Sequence, residues 1–182
     1  MKKLYIAKRI PKNSPAYLIL GIKPSLTIKE IHSLYVEKVF VGQKYIYNGP
    51  WILRPPISEE EFTENHLPVE LRPNHIWLMV KDKIEDSNVF LGIVNSKSYG
   101  TIAEISYACK CKEIAVYALP DKDVNDEELQ DLWFVFQMIK DTKNLWSDDD
   151  IKNIEEFSDF GITSIKEYEI FLETIVPNFM KK

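Results

Sequence analysis

The chain has 182 residues, 45% of them hydrophobic, which is enough apolar material for one domain with a full core. Its formal net charge of −5 argues against a nucleic-acid polymer as partner, because dedicated binders carry a clustered basic excess. Cys109 and Cys111 sit two positions apart and the three histidines (His32, His66, His75) are scattered, so neither a disulfide framework nor zinc-ligand spacing appears and no metal or cofactor is expected.

The apolar run within MKKLYIAKRIPK is too short for a secretory signal, and no stretch approaches the roughly 20 apolar residues of a membrane span. A cytoplasmic protein with no membrane contact is expected. Leu4–Ala7 (LYIA) reads as a buried first strand, and the proline-bearing KRIPKNSPAYLILGIKPS after it as loop with one short strand. Thr27 and Glu30 stand at capping-box spacing before Ile28, Ile31, Leu34, Tyr35 and Val39, which predicts a helix. Lys44–Leu53 (KYIYNGPWIL) reads as a strand broken at Asn48-Gly49-Pro50, followed by an acidic loop holding His66. A helix is predicted from about Asn74 to Glu85.

Val89–Val94 (VFLGIV) is a continuous apolar run, the pattern of a strand buried on both faces of a parallel sheet. A helix over 100–111 and a second such run, Ile114–Leu119 (IAVYAL), complete a βαβ unit. From Asn125 the chain is helical: LQDLWFVFQMIK reads as one amphipathic helix and SIKEYEIFLETIV as another. The acids of SDDD (147–150) read as a solvated helix start, and the cysteines as a reduced pair, one buried and one near the surface. The expected fold class is α/β, a Rossmann-like or flavodoxin-like parallel sheet of four to five strands with helices on both faces, plus C-terminal helices. Residues 1–182 form one domain in this reading: a nucleotide-binding core over 1–124 with an insertion at 9–43, and a helical extension over 125–182.

In such a sheet, ligands bind outside the carboxyl ends of the strands, where loops run into helix N-termini. Asn95–Thr101 is such a loop. Gly100 allows close backbone approach, Ser98 and Thr101 add hydroxyls, and the helix start favours an anion. Glu104 lies one turn past Gly100 and can reach back to the same mouth, where a desolvated carboxylate could attack a sugar carbon. The plainer reading makes Glu104 a surface acid favoured by the helix dipole and Ser98 an N-cap. Trp51 is either a platform for a base or a core aromatic, Tyr5 either a ligand contact or a structural strand residue, and Lys8 either a phosphate partner or a solvated base.

Residues 88–119, NVFLGIVNSKSYGTIAEISYACKCKEIAVYAL, resemble the central motif of the nucleoside 2-deoxyribosyltransferase-like superfamily. Gly100, Thr101, Glu104, Ile105, Tyr107 and Ala108 fit its Gly-x-x-x-Glu helix, and Lys112-Glu113-Ile114 stands where the family's Gly-Lys-Pro-Ile falls. LYIA resembles the family's first strand, and YNGPW (47–51) is similar to a Gly-Pro-Phe segment of some members. The resemblance implies an enzyme that cleaves or transfers an N-glycosidic bond of a nucleoside or nucleotide, with Glu104 as the nucleophile forming a covalent deoxyribosyl intermediate. It implies a substrate cleft drawn from Tyr5, Ala7, Lys8, Gly49, Trp51, Asp82, Asn95, Ser98, Gly100 and Thr101. Serine at position 98 resembles the branch that hydrolyses deoxynucleoside 5′-monophosphates, where it contacts phosphate.

Three positions depart from the family pattern. The acid that opens the strand is Asn88, the helical aspartate falls on Val80 with Asp82 two residues on, and no glycine-rich loop follows the first strand. Ser98 also stands where the family's transferases carry an aspartate, and the replacement of the usual acids by Val80, Asn88 and Ser98 favours the rival expectation, a non-catalytic module that binds or senses a nucleotide derivative. Members of the family form homo-oligomers whose neighbouring subunit completes the cleft, so a homodimer or larger assembly is expected. Independently, Leu132, Trp133, Phe134, Val135 and Phe136 cover most of a helix circumference, and the face turned from the sheet needs either the helix at 164–176 or another subunit.

Overall fold

Six apolar residues in a row can satisfy their backbone in a sheet but cannot offer water a polar side, and this shapes the architecture. The computed structural model describes residues 2–8, 45–49 and 73–177. Within them, strands β1 (Lys2–Lys8), β2 (Tyr45–Gly49), β3 (Val89–Val94) and β4 (Ala115–Pro120) form an all-parallel sheet in the order β2-β1-β3-β4. Every residue of β3 and β4 is buried, as their unbroken apolar sequences require. The helices are α1 (Pro73–Glu85), α2 (Tyr99–Ala108), α3 (Asp126–Asp131), α4 (Trp133–Asp141), α5 (Asp148–Asn153), α6 (Glu155–Ser158) and α7 (Ile165–Ile175). The α/β class and the parallel sheet agree with the sequence reading. No helix among the described residues is long and apolar enough to cross a membrane.

Strand alternation assigns the two faces. Tyr5 and Gly92 face α2, where they meet Glu104 and Ile105. Lys2, Tyr45 and Tyr117 point to the opposite face and converge on Asp150 of α5. Gly92 has a packing reason to be glycine: a Cβ there would lie 2.5 Å from Ile105 Cδ1, so α2 sits closer to β3 than any side chain would allow.

Among the described strands β4 lies at the edge of the sheet, and two aromatic side chains cover its outer backbone. Trp146 donates its indole N–H to the Val116 carbonyl at 2.8 Å. The Tyr168 hydroxyl of α7 donates to the Ala118 carbonyl at 2.7 Å and accepts from the Ala118 N–H at 2.9 Å. The edge is thereby closed to strand addition.

Several boundaries differ from the sequence reading. The predicted helix at 100–111 is Tyr99–Ala108, because a bond from the Lys110 N–H to the Tyr107 carbonyl tightens the last turn. LQDLWFVFQMIK is not one helix: it divides at Leu132 into α3, which buries nothing, and α4, which turns Val135, Phe136 and Ile139 inward. α4 packs on β4 and α7, so the intrachain cover is used, and Phe134 stays 61% exposed. Cys109 and Cys111 are both free and both partly exposed. The helix after Thr27, the insertion at 9–43, the acidic loop after Pro56, Trp51, His32 and His66 lie outside the described residues.

The largest correction concerns Asp150. Ser147 caps α5, and Asp148 and Asp149 are exposed as expected of a solvated helix start, but Asp150 is completely buried. Its carboxylate accepts from Lys2 Nζ at 2.8 Å, from the Tyr45 hydroxyl at 2.5 Å and from the Tyr117 hydroxyl at 3.2 Å, tying β1, β2 and β4 to α5. Burial beside this anion raises the ionisation of both phenols well above the usual tyrosine range, which keeps them as donors. Removing the acceptor leaves the Tyr45 and Tyr117 hydroxyls without it, while the half-exposed Lys2 can turn to water. Asp150→Ala is therefore expected to cost about 3 kcal/mol or more, against at most about 0.5 kcal/mol for Asp149→Ala, in urea unfolding. Equal costs for the two variants would contradict a structural role for this carboxylate.

Candidate functional site

Among the described strands the order places a topological switch between β1 and β3: β2 lies on one side of β1, and β3 and β4 lie on the other. Helix α2 starts at the carboxyl end of β3. Its residues Thr101, Ile105 and Ala108 are buried against the sheet, which leaves Glu104 on the flank of that face. Tyr5, fully buried on β1 and stacked on Phe90 at 5.4 Å between ring centroids, donates its hydroxyl to Glu104 Oε2 at 2.9 Å. Stacking fixes the ring and the ring fixes the carboxylate.

Desolvation dominates the electrostatics of Glu104. Burial raises its carboxyl to about 7, opposed by the smaller pull of the Tyr5 hydrogen bond toward the ionised form. No cation within the described residues is bonded to it. A carboxyl poised near neutrality at the carboxyl end of a parallel sheet has the tuning of a general acid, base or nucleophile.

The remaining expected residues divide into three groups. Gly49 pairs with Tyr5 on β2, and Ala7, fully buried, pairs with Gly92, so both border the Tyr5–Glu104 pair. Gly100 is exposed, with open space where a Cβ would stand, one turn before Glu104, and Thr101 is buried beside it. The amides of Tyr99, Gly100 and Thr101 have no partner among the described residues, so the helix start presents free donors. Lys8 and Asp82 do not join this cluster: Lys8 alternates to the other face of the sheet, and Asp82 is exposed on α1. Trp51 lies outside the described residues.

Ser98 is buried, and its hydroxyl is used locally. It donates to Asn95 Oδ1 at 2.9 Å and accepts from the Asn95 N–H at 3.1 Å, while Asn95 Oδ1 also accepts from the Lys97 N–H. It stands at the N-cap position without making a side-chain cap, which corrects the plain capping reading. In this arrangement its single proton is committed to Asn95, so an anion would meet the backbone amides first. Asn88 is likewise committed: its Oδ1 accepts from the Lys3 N–H at 2.9 Å and its own N–H donates to the Lys3 carbonyl, clasping β1 to β3.

Sequence reasoning missed Tyr5 as the partner of Glu104, since only the register of β1 against β3 and the close seat of α2 bring them together. Among the described residues, no group of three or more His, Cys, Asp or Glu side chains could hold a metal ion. No protein-family model, no curated protein and no solved structure matches this chain.

The raised carboxyl carries a stability consequence with a definite sign. Below the ordinary glutamate value of about 4.5 both folded and unfolded chains hold the proton. Between that value and about 7 the unfolded chain ionises while the folded one keeps its proton, so stability falls across this window, by at most about 3 kcal/mol. Glu104→Gln removes this loss while keeping an oxygen for Tyr5. Relative to the parent chain, the variant is expected to gain stability from pH 5 to pH 8 in thermal unfolding. Parallel curves for the two proteins over that range would refute the buried-carboxyl account.

Proposed function

We propose that the protein cleaves or transfers the N-glycosidic bond of a nucleoside or nucleotide, with Glu104 as the nucleophile. The observation that carries this reading is the state of Glu104: one carboxylate oxygen is held by Tyr5, and the other has no hydrogen bond among the described residues. In the proposed reaction, Oε1 forms a bond to the anomeric carbon as the carbon–nitrogen bond breaks. The electron pair leaves on the base nitrogen, which gains a proton. Water then cleaves the glycosyl ester in a hydrolase, or the nitrogen of a second base displaces Glu104 in a transferase. The free amides of Tyr99, Gly100 and Thr101 suit a phosphate or sugar oxygen at the mouth of the same site.

A second reading, non-catalytic binding or sensing of a nucleotide derivative, is favoured by one specific observation. Asn88 and Ser98, which stand where the resembled family carries acids, are both committed to backbone and loop hydrogen bonds.

One experiment separates the readings. The protein is incubated with nucleosides, nucleoside monophosphates and NAD, and free base is followed by chromatography. Base release is expected, with a loss of roughly a thousandfold or more in Glu104→Gln. Tyr5→Phe removes the bond that favours the carboxylate and should move the acidic limb of the pH–rate profile upward from about 7. Ligand binding without base release would establish the sensing reading instead.

We also propose that the chain assembles as a homodimer or larger complex. Trp77 and Leu78 on α1, Tyr99 on α2 and Phe134 on α4 are exposed apolar side chains, which an assembly could cover. Light scattering at micromolar concentration should return at least twice the 21.3 kDa of the chain. A monomer would remove the shared-cleft element and favour a self-contained binding module.

A further inference from the structure

Gly92 lies beneath α2, and the space where its side chain would stand is bordered by the supports of both Tyr5 and Glu104. A Cβ built there would lie 2.5 Å from Ile105 Cδ1 and 2.6 Å from Ile105 Cγ1, distances at which something must move. The same Cβ would lie 3.5 Å from Phe90 Cε1, an ordinary van der Waals contact. Phe90 is the ring on which Tyr5 stacks, and Ile105 follows Glu104 on α2. A side chain at position 92 would therefore leave the support of Tyr5 in place and displace that of Glu104. Ala7 and Ala118, the register partners of Gly92, both carry a Cβ, so the demand for none is local to the position under Ile105.

The displacement has a direction. Ile105 is completely buried, so it cannot swing into solvent to make room. Residues just after it fasten α2 to other helices: Tyr107 donates to Glu85 at the end of α1, and Cys109 Sγ lies 3.8 Å from Thr142 Oγ1 at the end of α4. Outward motion at Ile105 then falls on the preceding turn, where a hydrogen bond of 2.9 Å holds Glu104 to Tyr5. A shift of about 1 Å takes that bond beyond hydrogen-bonding distance and admits water beside the carboxyl.

We infer that Gly92 is a positioning residue for Glu104: its missing side chain lets α2 seat at the depth that holds the carboxylate on Tyr5 and keeps water from it. Its part in catalysis rests on the proposed glycosyl chemistry, whereas its hold on Glu104 is a property of the fold.

Carbon-13 NMR of the full chain reads that hold without substrate. The Glu104 carboxyl is the resonance lost in Glu104→Gln, and its midpoint in the unaltered chain is expected near 7. In Gly92→Ala the midpoint should fall by about one pH unit or more, because admitted water relieves desolvation, the larger influence, while loss of the Tyr5 bond pushes more weakly upward. Tyr5→Phe, which loses the bond alone, should move it upward. Gly92→Ala combined with Ile105→Ala removes both clashing atoms and should return the midpoint to near 7, although its core is smaller. Base release by Gly92→Ala is expected to lose roughly tenfold to a hundredfold in kcat with little change in KM, and the double variant to recover most of it. If Gly92→Ala does not fold, the double variant carries the test. A midpoint unmoved or raised in Gly92→Ala, or a double variant without a midpoint near 7, would overturn the inference. If the unaltered chain releases no base, the glycosyl reading fails and the titrations still decide the role of Gly92.

Discussion

Strand β3 is apolar at all six positions and buried at all six, so both of its faces must be covered by other parts of the chain. Much of the described structure answers that demand. α2 covers one face and can do so closely only because Gly92 has no side chain to meet Ile105. Helices of the C-terminal segment cover the other, anchored through Asp150 and through the aromatic cluster in which Trp146 and Tyr168 lie 4.8 Å apart. Once both faces are roofed, the open ground near the switch is the carboxyl end of the sheet, and the two faces offer separate mouths there.

The fully buried Asp150 and the largely buried Glu104, on opposite faces, are stabilised in opposite ways. Asp150 receives three donors, one of them a lysine, so its charge is met where it lies. Glu104 receives one phenol and no cation among the described residues, so its charge is poorly met and its carboxyl rises to about 7. A fold that pairs one acid fully and leaves another wanting keeps the second at an energetic cost, and such a cost is characteristic of working sites rather than of scaffolding.

The sheet and its βαβ unit were legible because they rest on short-range pattern: VFLGIV and IAVYAL are unbroken apolar runs, and the intervening helix carries its own period. Glu104 was legible for the same reason, since its distance from Gly100 is one helical turn. Asp150 was not. SDDD looks like a solvated helix start, and its third aspartate is buried only because Lys2, Tyr45 and Tyr117 arrive from sequence separations of 148, 105 and 33 residues. The break at Leu132 was hidden by an apolar pattern that continues across it, although the backbone there leaves helical geometry. Lys8 was read as a companion of Glu104 from its place after β1, but the period of two along a strand sends it to the other face.

That alternation has a chemical consequence for the whole carboxyl end. On the α2 face the strands carry Ala7 and Gly92, small residues that let α2 and its tuned carboxylate seat close to the sheet. On the α6 face the same strands end in Lys8 and Ile93, and β4 adds Leu119, so the cleft on that face has an apolar floor and acidic walls. A one-residue register slip of β1 would exchange the two sets, bringing Lys8 beside Glu104 and Tyr5 beneath α6. The Asn88–Lys3 clasp at the start of β1 and β3 opposes that slip, since both of its hydrogen bonds form in one register only. Asn88 therefore contributes to the site from a distance: by holding the register it keeps a buried carboxyl near neutrality on one face and a lysine away from it on the other.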